Sequence, residues 1–477
     1  MTSMAQHVRD AMVPEPGALD VTASAQEAGE RLSDPAVRAI LVCDDGQLVG
    51  VITRKTLVSQ VVAPGRDPRN TKAGEIAEPP LFTLDASMDL EEAFHTYQKG
   101  PVEIPGIKPG MVIRKENSEA AEGYIPQEEL KYLKQGWFEI KVEQTHDVPL
   151  HPNYIEATKK NAGKAKLGAN GELLDYEGGL PFPKIDANDP QAGLKVAWNY
   201  SRHYWGDQLT TGWEWKYINA KGDVTRTVHG TVNTLYYKHR YAVDPPEMSP
   251  NPEGYFWADH FWISDPGDLR DWQFLIVRHE NDFKEDDTWI YIPQLRRVRR
   301  YTTSIRTDSL LGSVYTYDDF HGYNGYVRGF NWKYIGEKVM LVPMGMSATQ
   351  VKYGFHNGCY PDIPWQPRKV LIVERYAKDP NYPFKSWRMY IDKQTYTMIA
   401  TEQYDAKGEH WKTCFNIFAD PKGHLDVNKT AGAPIWIGIH ALDHQTGECT
   451  TVNQYNSITN QPVNLDEWSV EFLRGGR

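Results

Sequence analysis

The sequence predicts an α+β chain in two unequal parts: a small β-α-β-β-α module, then a large curled antiparallel β-sheet with few helices. Three observations lead there. No Trp precedes Trp137, and all 15 lie between it and Trp468; residues 1–97 hold three aromatics (Phe82, Phe94, Tyr97), while the remainder holds 54. The front part alternates short apolar runs with capped helical stretches, and the later part is dominated by alternating strands joined by polar turns. Finally, 477 residues exceed one ordinary core. The expected domains are 1–97 and 98–477.

In the front module, Val8–Met12 opens a helical turn and Asp20-Val21-Thr22 is extended. Ser24 is an N-cap for a helix from Ala25 to about Leu32. Ala39–Cys43 is a compact apolar run suited to a buried strand, and Asp44-Asp45-Gly46 supplies a hairpin turn to the returning strand Leu48–Ile52. Arg54–Val62 is the second helix. The pattern then restarts: Ala73–Ala77 echoes Val8–Met12, Leu84–Ser87 echoes Val21–Ser24, and Leu90–Tyr97 is the next helix. A repeat at this spacing organises the module.

In the second part, Val224–Val232, Gln273–Arg278, Thr288–Ile292, Lys338–Val342 and Lys369–Val373 read as strands. From Ser386 to Phe418 a meander is expected. Trp387, Met389 and Ile391 share one strand face, and Tyr396, Met398 and Ala400 share a face of the return strand. Asp392–Thr395 and Asp405–Gly408 are the turns, and Asn219–Gly222 is a similar one. Two helices are predicted, Gln127–Lys134 and Asn153–Ala165, with residues 98–126 and 168–195 as long loops. A sheet this wide must twist and curl. Its aromatic content supports either a roomy interior or a solid β-sandwich core. The cavity reading names Trp289, Tyr291, Trp387, Met389, Ile391, Tyr396 and Met398 as lining.

Composition excludes several function classes. The net charge is −11; residues 1–97 carry 8 basic and 15 acidic side chains, and the rest 44 and 48. No part is strongly basic, so no nucleic-acid partner is expected. Cys43, Cys359, Cys414 and Cys449 show no C-x-x-C spacing, so no zinc site or other cofactor is expected. One disulfide is compatible with the three later cysteines, with the pair left open. There is no basic segment leading into an apolar run at the front and no apolar stretch of about 18 residues, so a cytoplasmic location is expected. H-E-x-x-H, G-x-S-x-G, Walker and G-x-G-x-x-G motifs are absent, and no enzyme is expected. Asp443–Glu448 is a further turn.

Arg296, Arg297, Arg299 and Arg300 form the densest basic cluster. Alternation puts Arg297 and Arg299 on one face, and Arg296, Val298 and Arg300 on the other. Two readings stand: contact with a lipid headgroup or acidic partner through guanidinium forks, or an internal ion network with Asp308, Asp318 and Asp319. Trp257–Trp262 is either core or a sugar-stacking platform. The latter, with unassigned carboxylates, is the whole case for a carbohydrate-active enzyme.

The front module, with its repeat and its Gly50-Val51-Ile52-Thr53-Arg54-Lys55-Thr56 segment, resembles the CBS domain. That family pairs repeats to bind adenine nucleotides, with a Gly-x-x-Thr/Ser-x-x-Asp motif after the last strand. The resemblance implies a nucleotide site at Gly50, Thr53 and Thr56, where Thr53 matches the phosphate position and Thr56 replaces the ribose-binding Asp. After Tyr97 the second repeat gives way to loop chemistry, so half the cleft is missing. A vestigial module is the first reading and a nucleotide-sensing regulator the second.

The second part carries Asn199–Tyr204, Trp289–Arg300, Thr307–Ser313, Thr316–Asp319 and Tyr404–Lys412. Together these resemble the proteobacterial domain-of-unknown-function family 1329 over residues 98–470. The resemblance implies an unclosed β-barrel like that of lipoprotein-localisation carriers, and a non-enzymatic role in binding a lipid or other hydrophobic molecule. It also implies a periplasmic or outer-membrane-associated location and an outer-membrane protein or efflux-type transporter as partner. With a CBS-like module where an export signal would stand, the chain reads as a natural fusion or a composite of two genes, and the truncated repeat favours the latter.

Overall fold

A computed structural model describes residues 17–35, 37–78, 102–301, 306–344 and 348–475. The expected elements at Val8–Met12, Leu84–Ser87 and Leu90–Tyr97 lie outside the described residues. The chain divides into two compact units, Met1–Pro101 and Val102–Arg477.

The first unit is the predicted β-α-β-β-α module. Strand β1 (Ala18–Asp20) runs parallel to β2 (Ala39–Asp44), which pairs antiparallel with β3 (Gln47–Thr53). Helix α1 (Ala25–Leu32) begins where Ser24 Oγ accepts the Glu27 N–H at 3.2 Å. Helix α2 (Arg54–Leu57) widens into a π-turn over Val58–Val62, and α3 (Ala73–Ile76) follows. Leu19, Ala28, Leu32, Ile40, Val42 and Ile52 are central in its core.

The second unit starts with β4 (Val112–Ile113), α4 (Glu129–Lys134), β5 (Ile140–Val142), α5 (Pro152–Asn161), β6 (Lys166–Leu167), β7 (Leu173–Leu174) and α6 (Ala192–Ser201). A first antiparallel meander follows: β8 (Gln208–Ile218), β9 (Val224–Tyr236), β10 (Tyr255–Asp265), β11 (Gln273–His279), β12 (Asp287–Ile292) and β13 (Arg297–Tyr301). After β14 (Phe330–Pro343) and the small hairpin β15 (Tyr353–Gly354)–β16 (Tyr360–Pro361) comes a second meander. It comprises β17 (Pro364–Ala377), β18 (Phe384–Asp392), β19 (Met398–Asp405), β20 (His410–Ala419), β21 (Ile435–Asp443) and β22 (Cys449–Thr459). The two meanders join through β8 and β22, with Trp215 opposite Val452. β14 pairs along β17, and β5 extends the sheet parallel to Pro364 and Trp365. Among the described residues β13 pairs only with β12, and the sheet does not close on itself there.

The tight turns that drive the meanders have a common chemistry. Asn219 Oδ1 accepts from Lys221 N and Asp223 N, Asp405 Oδ1 from Lys407 N and Glu409 N, and Asp443 Oδ1 from Gln445 N and Thr446 N, all at 2.9–3.0 Å. A side-chain carbonyl or carboxylate thus stands in for a backbone acceptor and reverses the chain.

Three expectations need correction. Ala400 does not share a face with Met398, because Met398 lies opposite Ile391 and Ala400 opposite Tyr390, and the extra residue between them reverses the alternation. The helix expected to reach Ala165 ends at Asn161, where Ala162 is already extended (φ −54°, ψ 125°). The stretch read as loop over 168–195 contains β7 and the start of α6. Helix α6 was not anticipated; its Val196 and Tyr200 pack on Leu371, Val373, Trp387 and Met389. A disulfide joins Cys359 to Cys449 across 90 residues of sequence and fastens the β15–β16 region to the start of β22.

Both faces of the sheet are covered. Thr413 and Glu402 face α4 and the residues before it, through Glu129 Oε1 at 2.8 Å and Glu128 N at 2.6 Å. Their neighbours Lys412 and Gln403 face the segment 306–328, through Val314 O at 3.0 Å and Asp319 Oδ1 at 2.5 Å. Helix α7 (Val470–Gly475) contributes Leu473, which packs with Trp468 against Trp289 and Tyr291.

Candidate functional site

The segment 306–328 lies between β13, at one end of the sheet, and β14, which pairs along β17, and it crosses a sheet face where Asp319 and Val314 meet Gln403 and Lys412. It does so as short 3-10 turns, not as a strand. Among the described residues, none of its backbone groups bonds to the sheet's backbone. Its attachments run through side chains: Val314 N to Thr450 Oγ1 at 3.0 Å, Tyr217 Oη to Leu311 O at 3.2 Å, and Tyr200 Oη to His321 O at 2.6 Å.

Beneath it lies an aromatic wall. Phe320 meets Phe261 edge-on at 5.3 Å and Trp215 at 6.3 Å. The His321 ring sits 4.1 Å from Trp205, 5.3 Å from Trp436 and 6.1 Å from Trp257. Burial drives His321 well below the ordinary imidazole range, so it is held neutral. Asp259 of β10 has an oxygen 4.0 Å from His321 Nε2, and burial pushes its carboxyl up to about 7 against the Thr234 hydroxyl bond. The wall keeps polar atoms without partners: the indole N–H groups of Trp213 and Trp436, and both side-chain polar atoms of Asn416. Buried orphan donors are uncommon in folded proteins.

A chain of charge locks this cover at one end. Arg278 of β11 holds Asp286 through Nε and Nη2 at 2.5 and 2.9 Å. Arg306 reaches Asp286 at 3.1 Å and Asp318 at 2.7 Å, with its guanidinium 4.4 Å from the Tyr317 ring centre. Burial would raise the Asp286 pKa, but the two guanidinium groups outweigh it and hold the carboxyl far below the usual range. Tyr382 donates to Asp318 at 2.7 Å and accepts from Arg375 at 2.8 Å.

Gly322 lets the cover approach. At φ +90°, a Cβ here would lie 2.5 Å from Met398 Cβ and 2.9 Å from Asn416 Nδ2. Gly322→Ala is expected to destabilise this unit by roughly 2 kcal/mol or more and to speed proteolysis within 306–328. Denaturation followed by Trp fluorescence checks the first, and peptide mapping the second.

The residues singled out from sequence are distributed as follows. Trp387, Met389, Ile391, Tyr396 and Met398 come together in one cluster beneath α6. Trp289 and Tyr291 pack elsewhere, beside α7, so the seven do not line one space. Arg297 and Arg299 lie opposite Ile292 and Ile290 on one face of β13, and Arg300 lies on the other. Arg300 pairs with Asp287. Asp318 and Asp319 engage Arg306 and Thr316 instead, so among the described residues the expected pairing of the basic cluster with these two carboxylates does not form. In the first unit, Thr53 caps α2: Thr56 N donates to Thr53 Oγ1 and Thr53 N to Thr56 Oγ1, each at 3.2 Å. Gly50 is required because a Cβ would stand 2.7 Å from that of Ala77.

Two surface cavities adjoin these residues without being lined by them. One of about 400 Å³ is lined by Ala25, Gly29, Leu57, Val61 and Arg66. The other, about 570 Å³, lies between the 168–171 turn, the start of α6, Phe330 and Lys378. The residues missed from sequence are Arg278, Asp286, Arg306, His321 and Arg375. The available signal was the stretch between β13 and β14 that offers no strand pattern of its own.

Comparison with known proteins follows this division. Residues 112–474 match the family described as protein of unknown function (DUF1329), and residues 8–63 match the CBS domain. An uncharacterized protein of Pseudomonas aeruginosa is 25% identical over 296 residues, 58% of this chain and 61% of its own length. Hypoxic response protein 1 of Mycobacterium tuberculosis is 30% identical over 76 residues, 16% of this chain and 53% of its own length. The chain thus spans little more than half the length of these relatives. Among solved structures, a DUF1329 family protein from Desulfovibrio piger aligns with a TM-score of 0.44 at 15% identity, covering 60% of this chain and all of that one. A putative outer membrane lipoprotein-sorting protein domain from Vibrio parahaemolyticus gives 0.42 at 20% identity, again covering 60% and 100%. With a CBS domain at its front, the chain belongs to the DUF1329 family.

Proposed function

We propose that the large β unit is a non-enzymatic binding protein that shelters a lipid or another hydrophobic molecule against the aromatic face now covered by residues 306–328. The observation that carries this reading is the attachment of the cover. It shares no backbone hydrogen bond with the sheet among the described residues, so it can lift without unpairing a strand. The face beneath it presents Trp213, Trp215, Trp257, Phe261 and Trp436, a surface suited to apolar ligands. Each methylene moved from water onto that face contributes about 0.8 kcal/mol, so an acyl chain can compete with the Phe320–His321 tip. The role needs no catalytic group.

The Cys359–Cys449 bridge supports an oxidising compartment such as the periplasm. The exposed Arg297 and Arg299 of β13, the strand at one end of the sheet among the described residues, suit an acidic partner surface, such as that of an outer-membrane or efflux-type transporter.

The test uses the full-length protein. Solvent extraction of the purified chain, followed by mass spectrometry, is expected to release stoichiometric lipid or a similarly apolar compound. Titration with a fluorescent fatty-acid analogue is expected to saturate and to quench Trp emission. A clean extract together with no saturable quenching would end this reading.

A further inference from the structure

Among the described residues, Arg375 is one of several buried cations without an ion pair, and it is the most deeply buried of them. It stands on β17, is 1% exposed, and has its guanidinium carbon 3.7 Å from the Trp387 ring centre and 4.0 Å from that of Phe330. The Tyr323 and Tyr382 rings complete the box at 4.9 and 5.1 Å. Nη2 donates to Tyr382, whereas Nε and Nη1 have no hydrogen-bond partner. Among the described residues no carboxylate lies within ion-pair distance of it; Asp318 acts on it from farther off by charge and through the Tyr382 hydroxyl. The chain Arg278–Asp286–Arg306–Asp318–Tyr382–Arg375 therefore holds three guanidinium groups and two carboxylates. A buried charge without a direct counter-charge is costly, and ring faces offset only part of that cost.

Lifting the cover sharpens the imbalance. Arg306, Asp318 and Tyr323 belong to the cover and leave together. Arg375, Trp387 and Phe330 belong to the sheet and remain, as does Arg278 with Asp286. What is then exposed is an apolar aromatic surface beside a guanidinium whose fork is open. That fork fits a carboxylate or phosphate in a bidentate grip.

We infer that the sheltered molecule is an amphiphile with one anionic carboxylate or phosphate group, which Arg375 grips while the tail lies on the aromatic face. This rests on the binding role proposed above. In the closed protein, Asp318 substitutes for that anion through Tyr382, so ligand entry and release of the cover are a single exchange.

The test compares three probes on the full-length chain by Trp fluorescence titration: a long-chain fatty acid, the alcohol of the same chain length, and inorganic phosphate. The fatty acid is expected to bind about tenfold or more tightly than the alcohol, and phosphate alone to bind weakly. In Arg375→Met the preference should fall to about one, while Arg375→Lys should retain part of it. Tyr382→Phe, which cuts the link to Asp318 and leaves Arg375 in place, should strengthen fatty-acid binding; this variant decides the matter if Arg375→Met does not fold. Equal binding of acid and alcohol would overturn the assignment and leave the hydrophobic-binding role standing. Failure of both amphiphiles would overturn both. Phosphate binding as tightly as the fatty acid, and lost in Arg375→Met, would overturn the amphiphile in favour of a small free anion.

Discussion

Replacing Cys359 and Cys449 together by Ala is expected to lower the stability of the β unit by about 4–5 kcal/mol. The bridge spans 90 residues, and cross-linking a loop of that length removes roughly this much chain entropy from the unfolded state. The two sulfurs are buried, so part of the effect also comes from lost packing at the seam between the β15–β16 region and β22. The measurement is clean because all 15 Trp lie at or beyond Trp137, so indole emission reports the second unit and is silent on the first. Denaturant titration of the native chain, the native chain with reductant, and the double variant should give one high midpoint and two low ones. Coincident midpoints would mean that the bridge does not constrain the unfolded chain.

That pairing illustrates where the sequence stops being readable. Ser24, Asp45-Gly46 and the Asx-type turns act within a few residues of themselves, so the small module and the two meanders could be drawn from local chemistry. Cys359 and Cys449 are joined by no local rule. Helix α6 stayed hidden because Ala192, Val196, Ala197, Trp198 and Tyr200 are all buried; a helix covered on most sides has no polar stripe to reveal its period. The face change at Ala400 turns on one extra residue, invisible to a period-two count. Charge misled in an instructive way. The conspicuous cluster Arg296–Arg300 lies largely exposed, mostly on an outer strand, whereas the interior network is built from solitary Arg278, Arg306 and Arg375. Their partners Asp286, Asp318 and Tyr382 lie 7 to 20 residues away, or are reached across strands. Burial selects such pairs, and burial is a property of the whole fold.

The second large effect concerns the face covered by α4. Glu129 is fully buried there, bonded to Thr413 and close to Glu402, Tyr360 and Lys131. Burial, with the Glu402 charge adding to it, pushes its carboxyl up to about 8 despite the Thr413 and Tyr360 hydroxyls and Lys131. Burial likewise pushes Glu402 up to about 7. A carboxyl raised in the folded state makes no difference at a pH below its unfolded value near 4.5. It weakens the fold progressively as pH rises from there to the folded value, because the unfolded chain releases the proton first. His410 and His444, whose Nε2 atoms both lie 3.1 Å from Thr413 Oγ1, act in the opposite sense. Burial lowers them to about 4 and about 2, with nearby Lys131 and His410 respectively assisting, so they weaken the fold as pH falls below about 6.5. The two trends offset each other between about 4.5 and 6.5, and stability falls on either side of that window. Glu129→Gln preserves shape and removes one ionisation. It should change stability little at pH 5 and raise it by on the order of 4 kcal/mol above pH 8, since each unit of pKa displacement corresponds to about 1.4 kcal/mol. Urea midpoints measured by Trp emission at pH 5, 6.5 and 8.5 check the sign. A gain that is the same at all three values would show that Glu129 stays ionised in the folded chain, and that α4 is held down by some other means than a neutral carboxyl.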